Sequence, residues 1–388
     1  MTHSVVQILL SLISAEVCGE NISDEVKQEL TEQVLEQIYN LSVSHDMAHI
    51  AASALQRAGA LGNDEVSRKF SKHQMMAIFR CEKLNYELSC LTQALEDARI
   101  PFVPLKGSVI RKLYPEEWMR TSCDIDVLVQ KSDFDAATKI LIDKLEYRSE
   151  GQSSHDVSLY SQNNVHIELH YDLVEGDYAS KAGQILASVW DYTTPEREGS
   201  YQRVMSDEML YFYHIAHMAK HFEIGGCGIK PLMDTYVLKR HLNLDAQKLE
   251  KLLIDGKLLV FCQSSELLSD VWFCGADHTD LTLEMQNYII SGGVYGTTVN
   301  RVAVQQGKRG GKLGYVLSRV FIPYDTIKLY YPILQKHKWL LPAMYIRRGF
   351  DFIVRKGIKR GVRELRINNN INDEKSSDMQ RFMRKVGL

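Results

Sequence analysis

The chain has 388 residues, 45% hydrophobic, 24% charged and 9% aromatic, a globular balance that excludes a disordered, collagen-like or disulfide-miniprotein chain. That length exceeds one ordinary core and points to two or three packed units. The net charge of -3 conceals an asymmetry: residues 301–388 hold 20 Lys+Arg against 6 Asp+Glu, leaving 26 against 43 for residues 1–300.

The opening stretch 5–13 is apolar but lacks a basic region before it and a small-residue cleavage site after it, so it reads as a helix and not as an export signal. Apolar residues then recur three and four apart in Val26, Leu30, Val34 and Ile38, in Met47, Ile50, Ala54 and Leu55, and along 66–95, which predicts a helical lead-in. The pattern changes at 100–105, a short apolar run broken by Pro101 and Pro104 and bounded by Gly107, which reads as a strand. A short helix over 108–113 follows, and then 124–129, compact and β-branched, as a second strand. Ser132-Asp133-Phe134-Asp135 resembles a capping-box start for a helix through Leu145. Segments 156–161 and 165–170 flank Gln162-Asn163-Asn164, the pattern of a hairpin with polar turn chemistry.

From about residue 179 helices dominate again, over 207–222, 231–242 and 245–254, with a glycine break at Gly225-Gly226-Cys227-Gly228. A basic loop, 307–312, precedes further helices, and a soft boundary falls at 175–178. No apolar run approaches the roughly 18 to 20 residues needed to cross a bilayer. The seven cysteines are scattered without a C-x-x-C pair. They indicate neither a disulfide framework nor a cysteine zinc site, and a reducing cytoplasm is the expected location.

Within the second strand Asp124 and Asp126 are two apart, so both carboxylates share a face while Ile125 points into the core. Two acids on one face repel unless a cation joins them. Hard oxygen ligands of this kind suit Mg2+ or Mn2+, which bind a few carboxylates and complete their shells from water and substrate phosphates. Glu168, flanked by Ile167 and Leu169, is spaced to project from a neighbouring strand onto the same face and complete a two-metal site. Upstream, Leu105-Lys106-Gly107-Ser108 joins a strand to a helix, where Gly107 permits close backbone approach and the helix start offers amides to phosphate oxygens.

The set Gly107-Ser108, Asp124-x-Asp126 and Ile167-Glu168-Leu169 resembles the three-part signature of the DNA polymerase β-like nucleotidyltransferase superfamily. More closely, Leu105-Lys106-Gly107-Ser108, Leu113-Tyr114-Pro115, Arg120, the run from Asp124 to Val129 and Glu168-Leu169-His170 are similar to the bacterial group usually called the fifth NTP-transferase family. The close likeness spans 103–171, with a weaker one in the lead-in helices and over 217–234. With the element order it implies an α+β fold: a small mixed β-sheet nucleotidyltransferase core over 99–177, after a helical lead-in over 1–98. A helical substrate-side region over 178–300 and a basic helical region over 301–388 complete the expected division.

The resemblance also implies chemistry. Asp124 and Asp126 would bind the metals and Glu168 would complete the triad, while Gly107 and Ser108 would hold the phosphates of a nucleoside triphosphate, with ATP expected. Lys106 and Arg120 would add positive charge near the triphosphate. Plainer readings stand beside these: the Lys106 stem covering apolar surface, and Arg120 in a surface ion pair. Likeness further sets His217, Lys220, His221, Lys230 and Asp234 beside the nucleotide site, in contact with nucleotide or acceptor; the plain alternative is a packed helix with hydrogen-bonded histidines. His217 and His221 have the spacing of a helical zinc pair but lack the glutamate of H-E-x-x-H, which argues against a zinc protease. His155, His166 and His170 border the hairpin, His170 as a partner for Glu168.

The expected reaction moves a nucleoside monophosphate from the triphosphate to an acceptor hydroxyl and releases pyrophosphate. Two other classes compete: an inactive nucleotide-binding or scaffold protein, and transfer to an RNA end with the basic tail as docking arm. The tail over 336–366 interleaves Trp339, Tyr345, Phe350, Phe352 and Ile353 with Lys338, Arg347, Arg348, Arg355, Lys356, Lys359 and Arg360. Such a stretch suits peripheral contact with anionic lipid or a nucleic acid, or packs on the acidic body of the same chain, the arrangement favoured by the sequence.

Overall fold

A computed structural model describes residues 3–152, 156–174, 180–294, 296–354, 358–371 and 373–388. Five helices open the chain: α1 (Val5–Val17), α2 (Asp24–Gln28), α3 (Glu32–Ser44), α4 (Ala48–Arg57) and α5 (Glu65–Asp97). The periodicity from Val26 to Ile38 reads as one continuous face, yet the chain breaks between α2 and α3, because the Thr31 hydroxyl accepts from the Val34 amide and starts a new helix. The expected long helix is α5, 33 residues capped by Asp64, whose carboxylate takes the Ser67 amide at 2.8 Å.

Next come β1 (Phe102–Pro104), α6 (Lys106–Ile110), β2 (Asp124–Val129), α7 (Phe134–Leu145), β3 (Arg148–Gln152), β4 (Asp156–Tyr160) and β5 (His166–His170). The sheet order is β1-β2-β5-β4-β3: β2 and β5 are parallel, every other pair antiparallel. This is the α+β class. The hairpin forms as expected between β4 and β5, with Asn164 in the left-handed region at φ 55, which asparagine tolerates. Two details differ from expectation. Helix α7 starts at Asp133 without a side-chain cap bond, so no capping box forms. Strand β3 also joins the sheet edge, where Gly151 and its charged neighbours hide the alternation that would announce it.

The chain continues with α8 (Lys181–Leu186), the small hairpin β6 (Thr193–Pro195) and β7 (Arg203–Met205), α9 (Asp207–Ile224), α10 (Lys230–His241), α11 (Ala246–Asp255), α12 (Leu259–Phe273) and α13 (Asp280–Gly292). The β6–β7 hairpin interrupts a region expected to be helical. Beyond it lie α14 (Thr298–Lys308), α15 (Lys312–Val320), α16 (Tyr324–Tyr330), α17 (Ile333–Lys336), α18 (Leu341–Val354), α19 (Ile358–Asn370) and α20 (Asp373–Lys385).

Two cores set the site's position. Under one face of the sheet, Ile125, Val127, Ile167 and Leu169 pack with Leu84, Leu91 and Leu95 of α5 and Ala137 and Leu141 of α7. A larger helical core joins α1, α3 and α4 to α9, α10, α12 and α13, reaching Phe382 and Val386 near the chain end. The second face of the sheet looks toward that helical mass, and the cleft between them holds the polar residues. No helix among the described residues is long and apolar enough to cross a membrane. His155, the boundary at 175–178, and Arg355 and Lys356 lie outside the described residues, as do the side chains of Phe350, Phe352, Ile353, Lys359 and Arg360.

Candidate active site

Strand periodicity and parallel register build the acidic face together. On β2 the buried Ile125 and Val127 alternate with Asp124 and Asp126; on β5 the buried Ile167 and Leu169 alternate with His166, Glu168 and His170. Pairing sets Asp124 opposite His166 and Asp126 opposite Glu168. All three carboxylates therefore rise from the same face of adjoining strands.

Two ligand-grade groups result, Asp124–His166–Glu168 and Asp126–Glu168–His170, each with donor atoms within 4.8 Å of one another. His170 binds more tightly to Asp126 than to Glu168: Nε2 lies 3.0 Å from Asp126 Oδ1 and 3.5 Å from Glu168 Oε2. The histidine expected as a partner for Glu168 thus serves both acids. His166 Nδ1 stands 3.8 Å from Glu168 Oε1.

The charges are not balanced. Burial, then the neighbouring Asp126, push the Glu168 carboxyl up to about 7 despite the relief His170 gives. Asp124 is raised for the same two reasons. Asp126 goes the other way: burial opposes its charge, but the hydrogen bond and charge of His170, followed by the charge of Lys106, outweigh it. Oxygen donors outnumber nitrogen donors, and the set carries excess negative charge in a half-buried place. Such a donor set suits a hard or borderline divalent cation.

Asp124, Asp126, Glu168 and His170 line an open cleft of about 860 Å³ between the sheet and helices α9, α10 and α13. Lys106, Gly107, Arg120 and Lys230 line it too; Ser108 and Lys220 do not. Ser108 is turned to the far side of α6, where it lines a separate cavity of about 580 Å³. Its hydroxyl is buried without a hydrogen-bond partner. Lys220 lines an adjoining cleft of about 600 Å³ that shares Tyr213 and His217 with the acidic one. A methyl group at Gly107 would meet Ser122 Oγ at 3.5 Å, an ordinary contact, so the fold's own packing does not require glycine there.

Arg120, Lys230 and Lys106 each have a definite partner. Arg120 is buried and bidentate to Asp234, with Nε to Oδ1 at 2.7 Å and Nη2 to Oδ2 at 2.8 Å, and the Tyr114 hydroxyl donates to the same carboxylate at 2.7 Å. Burial works against the Asp234 charge, but Arg120 overcomes it and lowers this carboxyl. Lys230 donates to the Thr121 carbonyl at 2.9 Å and stands 3.6 Å from Asp46, while burial lowers its ammonium. Lys106 donates to the His217 ring at 2.7 Å and lies 5.3 Å from the centre of the Tyr213 ring. Burial, then Lys106, hold His217 well below its ordinary value, so the neutral ring accepts this bond. His221 stacks edge-on against His217 at 4.3 Å, and neither belongs to a metal-capable group among the described residues.

The sequence pattern did not single out Asp46 as a member of this cleft, nor the pairing of Asp234 with Arg120 and Tyr114. No spacing rule links Arg120 to a carboxylate 114 positions away.

A carboxylate-bearing pair of parallel strands on the floor of a cleft, in a small mixed sheet wrapped by helices, agrees with the arrangement that the resemblance to nucleotidyltransferases implied. Residues 31–274 match the family described as uncharacterised nucleotidyltransferase, and the chain belongs to that family and enzyme class. Searches of curated proteins and of solved structures found no match.

Proposed function

We propose that the protein transfers a nucleoside monophosphate from a nucleoside triphosphate, ATP first among them, to an acceptor hydroxyl. The acceptor oxygen attacks the α-phosphorus, the bond to the bridging oxygen of the β-phosphate breaks, and pyrophosphate leaves. The observation that carries this reading is the convergence of Asp124, Asp126 and Glu168 on one face of two parallel strands.

Asp124, Asp126 and Glu168 would hold Mg2+ or Mn2+, which supplies charge neutralisation at the phosphates and an activated acceptor oxygen. The chain's own groups do the remainder. Glu168 would either hold the catalytic metal or take the proton of the acceptor hydroxyl, the two roles open to the acid nearest both aspartates. His170 donates to Asp126 and orients it. Lys106, held between His217 and Tyr213, presents its charge to both aspartates and is the lysine best set to meet phosphate oxygens. Gly107 lines the cleft beside Lys106, where a residue without a side chain lets a phosphate come close to the backbone. Arg120 contributes through Asp234 and the shape of the cleft wall, and Lys230 fixes the Thr121 segment beside the acids. Lys220 is assigned to the acceptor side, because its cleft meets the acidic one at Tyr213 and His217.

Triphosphates labelled at the α-phosphate, incubated with the protein, Mg2+ or Mn2+ and a panel of hydroxyl acceptors, test the reading. The expected result is pyrophosphate release with label moving to one acceptor. Label transfer that survives the double variant Asp124→Asn, Asp126→Asn would overturn it.

A further inference from the structure

Among the described residues, ion pairs tie the basic C-terminal region to the acidic body at its two ends. Ion pairs tying it there come from its first and last helices, Lys308 to Glu223 at 2.5 Å and Lys385 to Glu284 at 3.0 Å. Between those anchors, α16 packs on α17, and α18 packs on α19 and on the end of α15. This middle stretch carries side chains that a protein normally hides. Trp339 is 76% exposed, Leu313 72% and Ile346 65%, with Leu317, Phe321 and Tyr330 also in the open.

These residues have an orientation. Tyr315 of α15 is buried and its hydroxyl donates to Glu364, in a small core with Val302, Ala303 and Ile371. Leu313, Leu317 and Phe321 recur four apart, so they share the edge of α15 turned away from that core. Helix α18 continues the surface: the Tyr345 ring meets Phe321 edge-on at 5.2 Å, and Arg348 donates to the Arg319 carbonyl at 2.9 Å. Ile346 is the next residue along. Cations sit among the rings, with Lys328 and Lys338 over Tyr324 at 5.7 and 5.4 Å.

We propose that this limb docks on the surface of an anionic lipid bilayer. The charge selects the occupant. With 20 Lys+Arg against 6 Asp+Glu over residues 301–388, a second copy of the same surface would be repelled, whereas anionic headgroups are attracted. The apolar side chains select between anionic partners. Leu313, Leu317 and Ile346 gain nothing on a phosphate backbone but leave water when inserted at the level of the acyl boundary, where tryptophan and tyrosine also favour the interface. Lysine and arginine stems reach along such a surface and keep their charges among the headgroups. Nucleotidyl transfer would then take place beside a membrane; the docking itself does not depend on that activity.

The full chain is mixed with vesicles of phosphatidylcholine, and separately with vesicles in which about a third of the lipid is phosphatidylglycerol, and sedimented. Partition at least about tenfold stronger on the anionic vesicles, weakening as salt is raised, is expected. The triple variant Leu313→Ser, Leu317→Ser, Trp339→Ser should lose about tenfold of that partition with its thermal melt unchanged, since these side chains are exposed. In the unaltered chain, lipids brominated near the headgroup should quench tryptophan emission, and Trp339→Phe should remove most of that quenching. Equal partition on both vesicle types, an unaffected triple variant, or retention on RNA without partition on vesicles would overturn the proposal.

Discussion

Two charged clusters face the same cleft and have opposite electrostatics. On the sheet, Asp124, Asp126 and Glu168 crowd together with two histidines and, among the described residues, no guanidinium in hydrogen-bonding reach, and two of the three carboxyls are pushed up. On α10, Asp234 is met by both prongs of Arg120 and by the Tyr114 hydroxyl, and its carboxyl is held down. One cluster is a closed account of donors and acceptors; the other is left with charge to spare. Folding alone favours the closed kind, because unpaired buried charge is costly. The open cluster persists where a ligand is to complete it, so the difference separates the groups that hold the cleft together from those that act in it.

The sharpest way to break this contrast is to neutralise one aspartate from each cluster. Asp124→Asn should lower nucleotidyl transfer at least about a thousandfold, because several kcal/mol of transition-state stabilisation pass through that donor set. Yet it should leave the urea midpoint unchanged or raised, since a repelling charge is removed. Asp234→Asn should do the reverse to stability. It strands the Arg120 guanidinium in a buried place and should cost about 3 to 5 kcal/mol, read as a fall in the urea midpoint at constant slope. A loss of stability for Asp124→Asn as large as that for Asp234→Asn would make both clusters structural and remove the contrast.

The two clusters were unequally legible in the sequence. The acidic one could be read because strand geometry is local: aspartates two apart with Ile125 between them must share a face, and Glu168 between Ile167 and Leu169 repeats the pattern. The closed cluster left no local trace. Arg120 and Asp234 meet only because α10 packs beside the segment before β2, and helical periodicity says nothing about which distant carboxylate will face which arginine. Ser108 shows the same limit. Its neighbour Gly107 enters the cleft, but Ser108 itself points to the other side of a helix only five residues long. Strand β3 was hidden for another reason: at a solvent-facing edge, charged and glycine residues satisfy the backbone without an apolar stripe.

The closed cluster also carries a pH signature that the open one does not share. His214 of α9, which faces α10 beside Asp234, donates Nε2–H to the Thr235 hydroxyl at 2.9 Å, which in turn donates to the Pro231 carbonyl. Burial holds this ring down to about 4, and His49, which donates to the Met119 carbonyl, is held down to about 4 by the same cause. Both folded values lie below the ordinary 6.5, so the unfolded chain takes up these protons first as pH falls. Their contribution is complete above about 6.5 and declines through the window down to about 4, by up to about 3 kcal/mol for each ring. Urea denaturation of the full chain between pH 7.5 and 5 measures it, at roughly the range where both rings begin to matter. His214→Gln, which keeps a donor for Thr235 but cannot titrate, should reduce the fall in stability between pH 7.5 and 5 by roughly 2 kcal/mol, even if it lowers stability at every pH. An unchanged slope would mean that His214 already carries its proton in the folded cleft wall, and that the wall is less closed than its hydrogen bonds indicate.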